Sequence, residues 1–245
     1  STLGFEGSDY SATLFGSFLE ADQIELHKTV DGVMSADPSV EPNAKTIRSM
    51  NYQEAAALTY LGASCIHAKA IGPAQEKGIP VILKNSTNPT FPGTVISSLC
   101  QESGAKSITS ISDMIIIQLD LKGPLAEQLS PFIKWLEFKR VEIYHLEYSL
   151  SSCSLLVKNS SYQTIFDRID MPTHRTVDGL SMISVVGGRI QDSDLRNKIM
   201  SILTQMSLGW ERSKLIEHTT SDAISLLIPN DSAQTVLSTL HGELF

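Results

Sequence analysis

Ser154-Leu-Leu-Val-Lys-Asn-Ser-Ser-Tyr-Gln-Thr-Ile-Phe166 recurs as Ser225-Leu-Leu-Ile-Pro-Asn-Asp-Ser-Ala-Gln-Thr-Val-Leu237, 71 residues further on. Ser, Leu, Leu, Asn, Ser, Gln and Thr repeat identically, and Val/Ile, Ile/Val and Phe/Leu repeat in kind. A match of this length at a fixed offset points to an internal duplication. The same offset brings Met114–Leu119 and Met182–Gly187 into approximate step, and likewise 142–149 with 213–220.

Each copy reads as strand, turn, helix, strand, strand, helix. In the second copy, Ser181–Val186 predicts a buried strand and Gly187-Gly188 a turn. Leu195, Ile199, Ile202, Leu203 and Met206 mark one helical face, with Asp192 or Ser193 as its cap. Ala223–Ile228 predicts a strand, and Ala233, Val236, Leu237, Leu240 and Leu244 mark the closing helix. In the first copy Leu125, Leu129, Phe132, Ile133 and Leu136 form the stripe, where Pro131 implies a kink or a late start. The pattern is ferredoxin-like, βαββαβ, with an antiparallel sheet. Copies of this kind can exchange strands in space, so the boundary at 180 is one of sequence.

Upstream the texture changes. A helix is predicted from Ser8-Asp9 to about Leu19, a strand over Ala21–Leu26 and a turn-rich loop over Met34–Ala44. Helices follow over Asn51–Leu61 and Ile71–Lys77, and a strand over Ile79–Lys84. Such alternation predicts a parallel or mixed α/β sheet. Residues 97–105 read as a linker, which divides the chain into 1–96, 97–180 and 181–245. The opening Ser1-Thr2-Leu3-Gly4 reads as strand end and loop, as if the chain started inside a domain.

The composition bounds the function. The 245 residues are 42% hydrophobic and 19% charged, an ordinary globular balance. No apolar run approaches the roughly 18 residues that a membrane helix needs. A net charge of -8 argues against a general nucleic-acid binder. Cys65, Cys100 and Cys153 stand alone, as reduced thiols of a cytoplasmic protein do, and the six histidines form no metal-binding spacing. No metal ligands are assigned.

Several stretches could carry chemistry. Gly4-Phe5-Glu6-Gly7-Ser8-Asp9 is a glycine loop entering a helix N-terminus, where free N–H groups suit a carboxylate or phosphate. Val30-Asp31-Gly32-Val33 and Ala36-Asp37-Pro38 are turns behind a strand, the usual ligand end of an α/β sheet. Lys122-Gly123-Pro124-Leu125 and Gly187-Gly188-Arg189-Ile190 occupy one place in the two copies, the turn into the first helix, which could bind a small zwitterion. Each of these also reads as a plain structural turn.

Together they carry a resemblance. Thr2-Leu-Gly-Phe-Glu-Gly-Ser-Asp-Tyr-Ser-Ala, Val30-Asp-Gly-Val, Ala36-Asp-Pro, Tyr52-Gln-Glu-Ala, Tyr60-Leu-Gly-Ala, Ile66-His-Ala-Lys, Gly78-Ile-Pro-Val and Asn85-Ser-Thr-Asn-Pro-Thr-Phe-Pro-Gly-Thr resemble, in order and spacing, aspartate kinase of the amino-acid kinase superfamily. Residues 106–245 resemble the paired ACT regulatory modules of that family. The resemblance implies the rear part of an amino-acid-kinase α/β sandwich over 1–96, then two ferredoxin-like ACT modules. The family's lysine- and glycine-rich ATP-phosphate segment lies upstream of the glycine loop and is not in this chain, so the chain alone is expected to be inactive.

The implied activity is phosphorylation of L-aspartate by MgATP to 4-phospho-L-aspartate, the first step towards lysine, threonine and methionine. By resemblance Gly7, Ser8 and Asp9 meet the substrate, with Asp9 catalytic. Lys28, Thr29, Asp31, Gly32 and Asp37 face the nucleotide. Lys122, Gly123, Pro124, Leu125, Gly188, Arg189 and Ile190 meet an effector amino acid, lysine or threonine. A homodimer through the ACT modules is implied, with no nucleic-acid or membrane partner. Departures stand beside this: Phe5 and Ser39 replace family arginines, Thr29 an acid, and Ser64 a lysine. The alternative they motivate is a degenerate kinase acting as an amino-acid-sensing subunit.

Overall fold

The computed structural model describes residues 7–63, 65, 66, 68–100, 102–121, 125–167, 174–190, 193–206, 214–217 and 222–245. The first section builds α1 (Gly7–Phe18), β1 (Ile24–Lys28), β2 (Ser49–Met50), α2 (Tyr52–Tyr60), α3 (Ala68–Lys77), β3 (Val81–Asn85) and β4 (Thr94–Ile96). Its sheet runs β1-β3-β4-β2. β1 and β3 are parallel, from Ile24 opposite Val81 to Lys28 opposite Asn85, whereas β3 and β4 are antiparallel. The mixed sheet expected from alternating elements is therefore present. Two strands, β2 and β4, went unread because two or three residues show no alternation. α1 opens at Gly7, so Ser8 and Asp9 lie inside its first turn rather than before it.

α2 shows how local chemistry sets an element. Asn51 accepts from the Glu54 N–H at 2.8 Å, and the Asn51 N–H donates to Glu54 Oε2 at 2.7 Å. This reciprocal box satisfies two N–H groups that a helix start leaves open.

The second section comprises β5 (Gly104–Asp120), α4 (Leu125–Phe138), β6 (His145–Tyr148), β7 (Ser152–Lys158), α5 (Tyr162–Phe166), β8 (His174–Gly188), α6 (Ser193–Gln205), β9 (Lys214–Glu217), β10 (Ala223–Pro229) and α7 (Ala233–Leu244). They form one six-stranded sheet, β6-β7-β5-β8-β10-β9. The repeated sequence falls on β7–α5 and β10–α7, so the two copies have the same order of elements.

Strand exchange between the copies is visible in the pairing. Met114–Asp120 of β5 pairs with β7 and, over 114–119, with the first half of β8. The second half of β8, Leu180–Val186, pairs with β10, while 104–111 of β5 runs beside 182–188. Each long strand thus opens its own unit with one half and fills the last-strand place of the other unit with its other half. The changeover is marked by a register shift between Ile111 and Met114 and by positive φ at Asp113 (57°) and Gly179 (68°). Residue 180 therefore lies inside a continuous strand.

Gly187-Gly188, expected as a turn, instead completes β8, and the turn is Arg189–Ile190. The glycines are there for closeness. A Cβ on Gly187 would stand 2.0 Å from the Gly104 carbonyl oxygen, and one on Gly188 2.2 Å from that of Glu102. α4 runs through Pro131 without a late start. The side chains of α4 and α5 pack on β5 and β7 in one core, and those of α6 and α7 on β8 and β10 in a second. The opposite face, with Met114, Leu156, Met182 and Val186, joins the core of the first section through Ala55, Leu58 and Leu61. Burial on both faces explains why 180–188 is an unbroken buried run.

Candidate functional site

The parallel strands β1 and β3 end side by side at Lys28 and Asn85. Carboxyl ends of such strands are where open α/β sheets bind ligands. Lys28 Nζ lies 2.6 Å from Asp9 Oδ2, and the Asp9 side chain is nearly buried in the first turn of α1. Asp9, at the positive end of the α1 dipole, and Lys28 form a fixed pair of opposite charges at the end of β1.

The turn that follows is held from three sides. Asp31 Oδ1 accepts from Asn85 Nδ2 at 2.9 Å and Asn88 Nδ2 at 3.2 Å. Gly32 has φ 111°, and a Cβ there would meet Thr94 Oγ1 at 2.5 Å. Thr94 Oγ1 accepts from the Val33 N–H at 2.8 Å and donates to the Ile47 carbonyl at 2.6 Å. Asp37 Oδ1 accepts from both the N–H and the hydroxyl of Ser39.

Beyond the turn lies a cavity of about 430 Å³. Lys28, Thr29, Gly32 and Asp37 wall it, so four of the five nucleotide-facing residues expected from sequence come together. Asp31 is not among them; it is turned to Asn85 and Asn88. Gly7 and Ser8 sit in the first turn of α1, also off the cavity wall. Among the described residues lining the cavity, Lys28 is the sole cation.

The second section supplies walls that sequence reasoning missed: Ser107, Thr109 and Ser110 of β5, and Leu237 of α7. Their role has no local signal, because the docking that brings them there is tertiary. Ser107 Oγ donates to the Met34 carbonyl at 2.9 Å, the Ile108 N–H to the Ser35 carbonyl at 2.7 Å, and Thr109 Oγ1 to the Leu61 carbonyl at 2.7 Å. From α7, buried His241 Nε2 lies 2.9 Å from Ser35 Oγ, and Lys45 Nζ donates to the Phe245 carbonyl at 2.9 Å. The loop carrying Met34 and Asp37 is thus fastened to both β5 and α7.

The residues expected to meet an effector divide. Gly188 and Arg189 line a separate cleft of about 350 Å³ against the start of α2, with Gln53, Glu102 and Asp222. Ile190 is fully buried in the α6–α7 core. Leu125 opens α4, and Lys122, Gly123 and Pro124 lie outside the described residues, as do Phe5 and Ser64. No group of three or more His, Cys, Asp or Glu side chains among the described residues could hold a metal. No helix among them is long and apolar enough to cross a membrane.

Residues 1–85, which carry this geometry, match the amino acid kinase family. The likeness narrows to aspartokinases over the whole chain. It is 29% identical to Aspartokinase 3, chloroplastic, of Arabidopsis thaliana over 100% of this chain and 46% of that protein. It is 28% identical to the Bifunctional aspartokinase/homoserine dehydrogenase of Haemophilus influenzae, over 99% of this chain and 32% of that protein. The chain therefore spans a third to a half of these relatives. E. coli aspartokinase III in complex with aspartate and ADP shares the fold, with TM-score 0.84 at 21% identity over 100% of this chain and 57% of that one. The chain is thus similar along its whole length to proteins named aspartokinases.

Proposed function

We propose that this chain forms the nucleotide-facing rear of an aspartate kinase together with its regulatory sheet. The reaction is transfer of the γ-phosphoryl group of MgATP to the side-chain carboxylate of L-aspartate. The observation that supports this most is the Lys28–Asp9 pair, set where parallel strands and a helix N-terminus converge on a walled cavity. Phosphoryl transfer is mainly positioning and charge neutralisation, and a lysine beside a helix start suits both. Lys28, Thr29, Gly32, Met34 and Asp37 would hold the nucleotide, and Gly7, Ser8 and Asp9 the aspartate. Magnesium would arrive on the nucleotide phosphates and neutralise their charge. The E. coli neighbours hold ADP, aspartate and lysine, which supports a nucleotide, this substrate and an amino-acid effector.

Regulation would act through the docked loop. An amino acid such as lysine or threonine bound at the first turns of the ACT modules would shift β5 or α7. Both elements carry the Met34–Asp37 loop through Ser107, Ile108 and His241. Gly188 and Arg189, beside Asp222 and Glu102, offer a cation and two carboxylates for a zwitterion. The ACT modules would also pair two copies of the protein through the edge strands of the six-stranded sheet, in the cytoplasm.

A second reading has its own observation. Ser39, which stands where the resemblance expects an arginine, bonds to Asp37, and among the described residues lining the cavity Lys28 is the sole cation. A charged phosphate contact is worth roughly 1.5–3 kcal/mol, enough that its loss would leave a degenerate sensor. ADP release by the full-length gene product, with MgATP and with or without L-aspartate, decides between them. Aspartate-stimulated release is expected from the kinase, and none from well-folded protein would establish the sensor.

A further inference from the structure

Away from the nucleotide cavity, the joint between α2 and β5 contains a buried cluster with no part in the proposed reaction. Lys106 Nζ lies 2.9 Å from Glu54 Oε2 and 3.2 Å from Cys100 Sγ. Glu54 is fully buried, and among the described residues its second oxygen, Oε1, has no hydrogen-bond partner. That oxygen lies 3.2 Å from where a Cβ on Gly188 would stand. Gly188 and Cys100 both line the open cleft of about 350 Å³, with Gln53, Gln75, Ser98 and Arg189.

These features combine three things that a structural thiol lacks. Cys100, 9% exposed, forms part of the wall of the cleft that a small solute would enter. A buried ammonium, held in place by a carboxylate, donates to it, so negative charge gathering on sulfur faces a fixed cation. An orphaned carboxylate oxygen stands in the same cluster and accepts a proton donor if one forms there. The other cysteines differ. Cys153 is fully buried between β-strands, and burial pushes its thiol up to about 11. Cys65 is half-buried on the nucleotide cavity.

We infer that Cys100 is a site of reversible oxidation by a hydroperoxide, activated by Lys106 and Glu54 at the joint between the two sections. The sulfur attacks one peroxide oxygen; an S–O bond forms and the O–O bond breaks. The departing hydroxide takes the thiol proton and leaves as water when the oxidant is hydrogen peroxide. The sulfur loses two electrons and becomes a sulfenic acid, and the peroxide is reduced. The new S–O–H group is a donor of the kind Glu54 Oε1 lacks. The product thereby changes the partners of Lys106, which ties α2 to β5.

The test treats the chain with hydrogen peroxide in the presence of dimedone, which traps sulfenic acids, and locates the label by peptide mass spectrometry. Cys100 should label about tenfold faster than Cys153 and several-fold faster than Cys65. Lys106→Met should lower the Cys100 rate by about fivefold or more. That variant leaves Glu54 buried without its cation, so Glu54→Gln/Lys106→Met is measured beside it, as a neutral pair of similar shape, with circular dichroism to confirm folding. Equal labelling of the three cysteines in the parent chain overturns the inference. So does a Cys100 rate that the folded double variant leaves unchanged. None of these readings depends on kinase activity.

Discussion

The two copies of the repeat start from nearly the same residues and finish in different places. In the first, β7 turns into α5, which ends at Phe166; Ile165 is buried, while Tyr162 and Phe166 stack on each other near the surface. In the second, β10 makes the same turn into α7, which runs on to Leu244. The divergence is written directly after the repeat. Phe166 is followed by Asp-Arg-Ile-Asp-Met-Pro, with a proline that ends helices, and Leu237 by Ser-Thr-Leu-His-Gly-Glu-Leu, with apolar residues at helical spacing. The extra turns place His241 on Ser35 and Phe245 on Lys45. Duplication therefore built the sheet, and lengthening one helix fastened it to the loop of Met34 and Asp37.

The largest effect tests this division directly. Leu240 in α7 and Ile165 in α5 are both fully buried. Leu240→Ala and Ile165→Ala should each lose about 2–5 kcal/mol in chemical denaturation, from lost burial and the cavity left behind. Only Leu240→Ala should also weaken binding of a non-hydrolysable ATP analogue to the full-length protein, since α7 backs the loop of Met34 and Asp37. If both substitutions weaken nucleotide binding alike, the functional contrast between the copies fails.

A second effect concerns the two long strands that the copies share. Gly187→Ala puts a Cβ against the backbone oxygen of Gly104, which no side-chain movement relieves. A loss of about 1–3 kcal/mol is expected in thermal or denaturant melts, as for other overpacked sites. Gly242→Ala in α7 is the counter-case: nothing lies within 4 Å of the added carbon. There alanine should stabilise by about 0.5–1 kcal/mol, because glycine in a helix loses more chain entropy. Loss at both glycines would mean that α7 sits closer to its surroundings than its contacts indicate.

Much of this architecture was legible in the sequence, for stated physical reasons. The apolar stripes of α6 and α7 predicted their buried faces, because a helix on a sheet must hide one side. That Lys28, Thr29, Gly32 and Asp37 gather round one cavity was legible because strand ends and glycine turns leave marks in sequence. Asp31 stands off the cavity wall, and only folding shows Asn85 and Asn88 claiming its carboxylate. The walls from Ser107, Thr109, Ser110 and Leu237 were illegible, since nothing local says where β5 and α7 dock. Gly187-Gly188 misled for a related reason. A glycine pair reads as a turn unless the neighbouring strand, which requires the close approach, is already in place.

The smallest effect sharpens the contrast at one position. Ser238 of α7 aligns with Asp167 of the first copy. The Ser238 hydroxyl donates to Glu41 on the loop that follows Asp37, and with the Asn43 N–H it holds the Glu41 carboxyl below its ordinary value of 4.5. In the first copy Asp167 itself accepts from Gln163, a contact within that helix. A carboxyl with a lowered folded pKa binds fewer protons folded than unfolded just below its ordinary value. Its stabilisation is complete above that value and is lost as pH falls through the folded one. Glu41→Gln should therefore match the parent's melting temperature least well near neutral pH and converge on it as pH drops below 4.5. The difference should be small, because one carboxylate held by neutral hydrogen-bond donors contributes little. An equal gap at all pH values would assign the effect to packing rather than charge, and would remove the link between Ser238 and the loop.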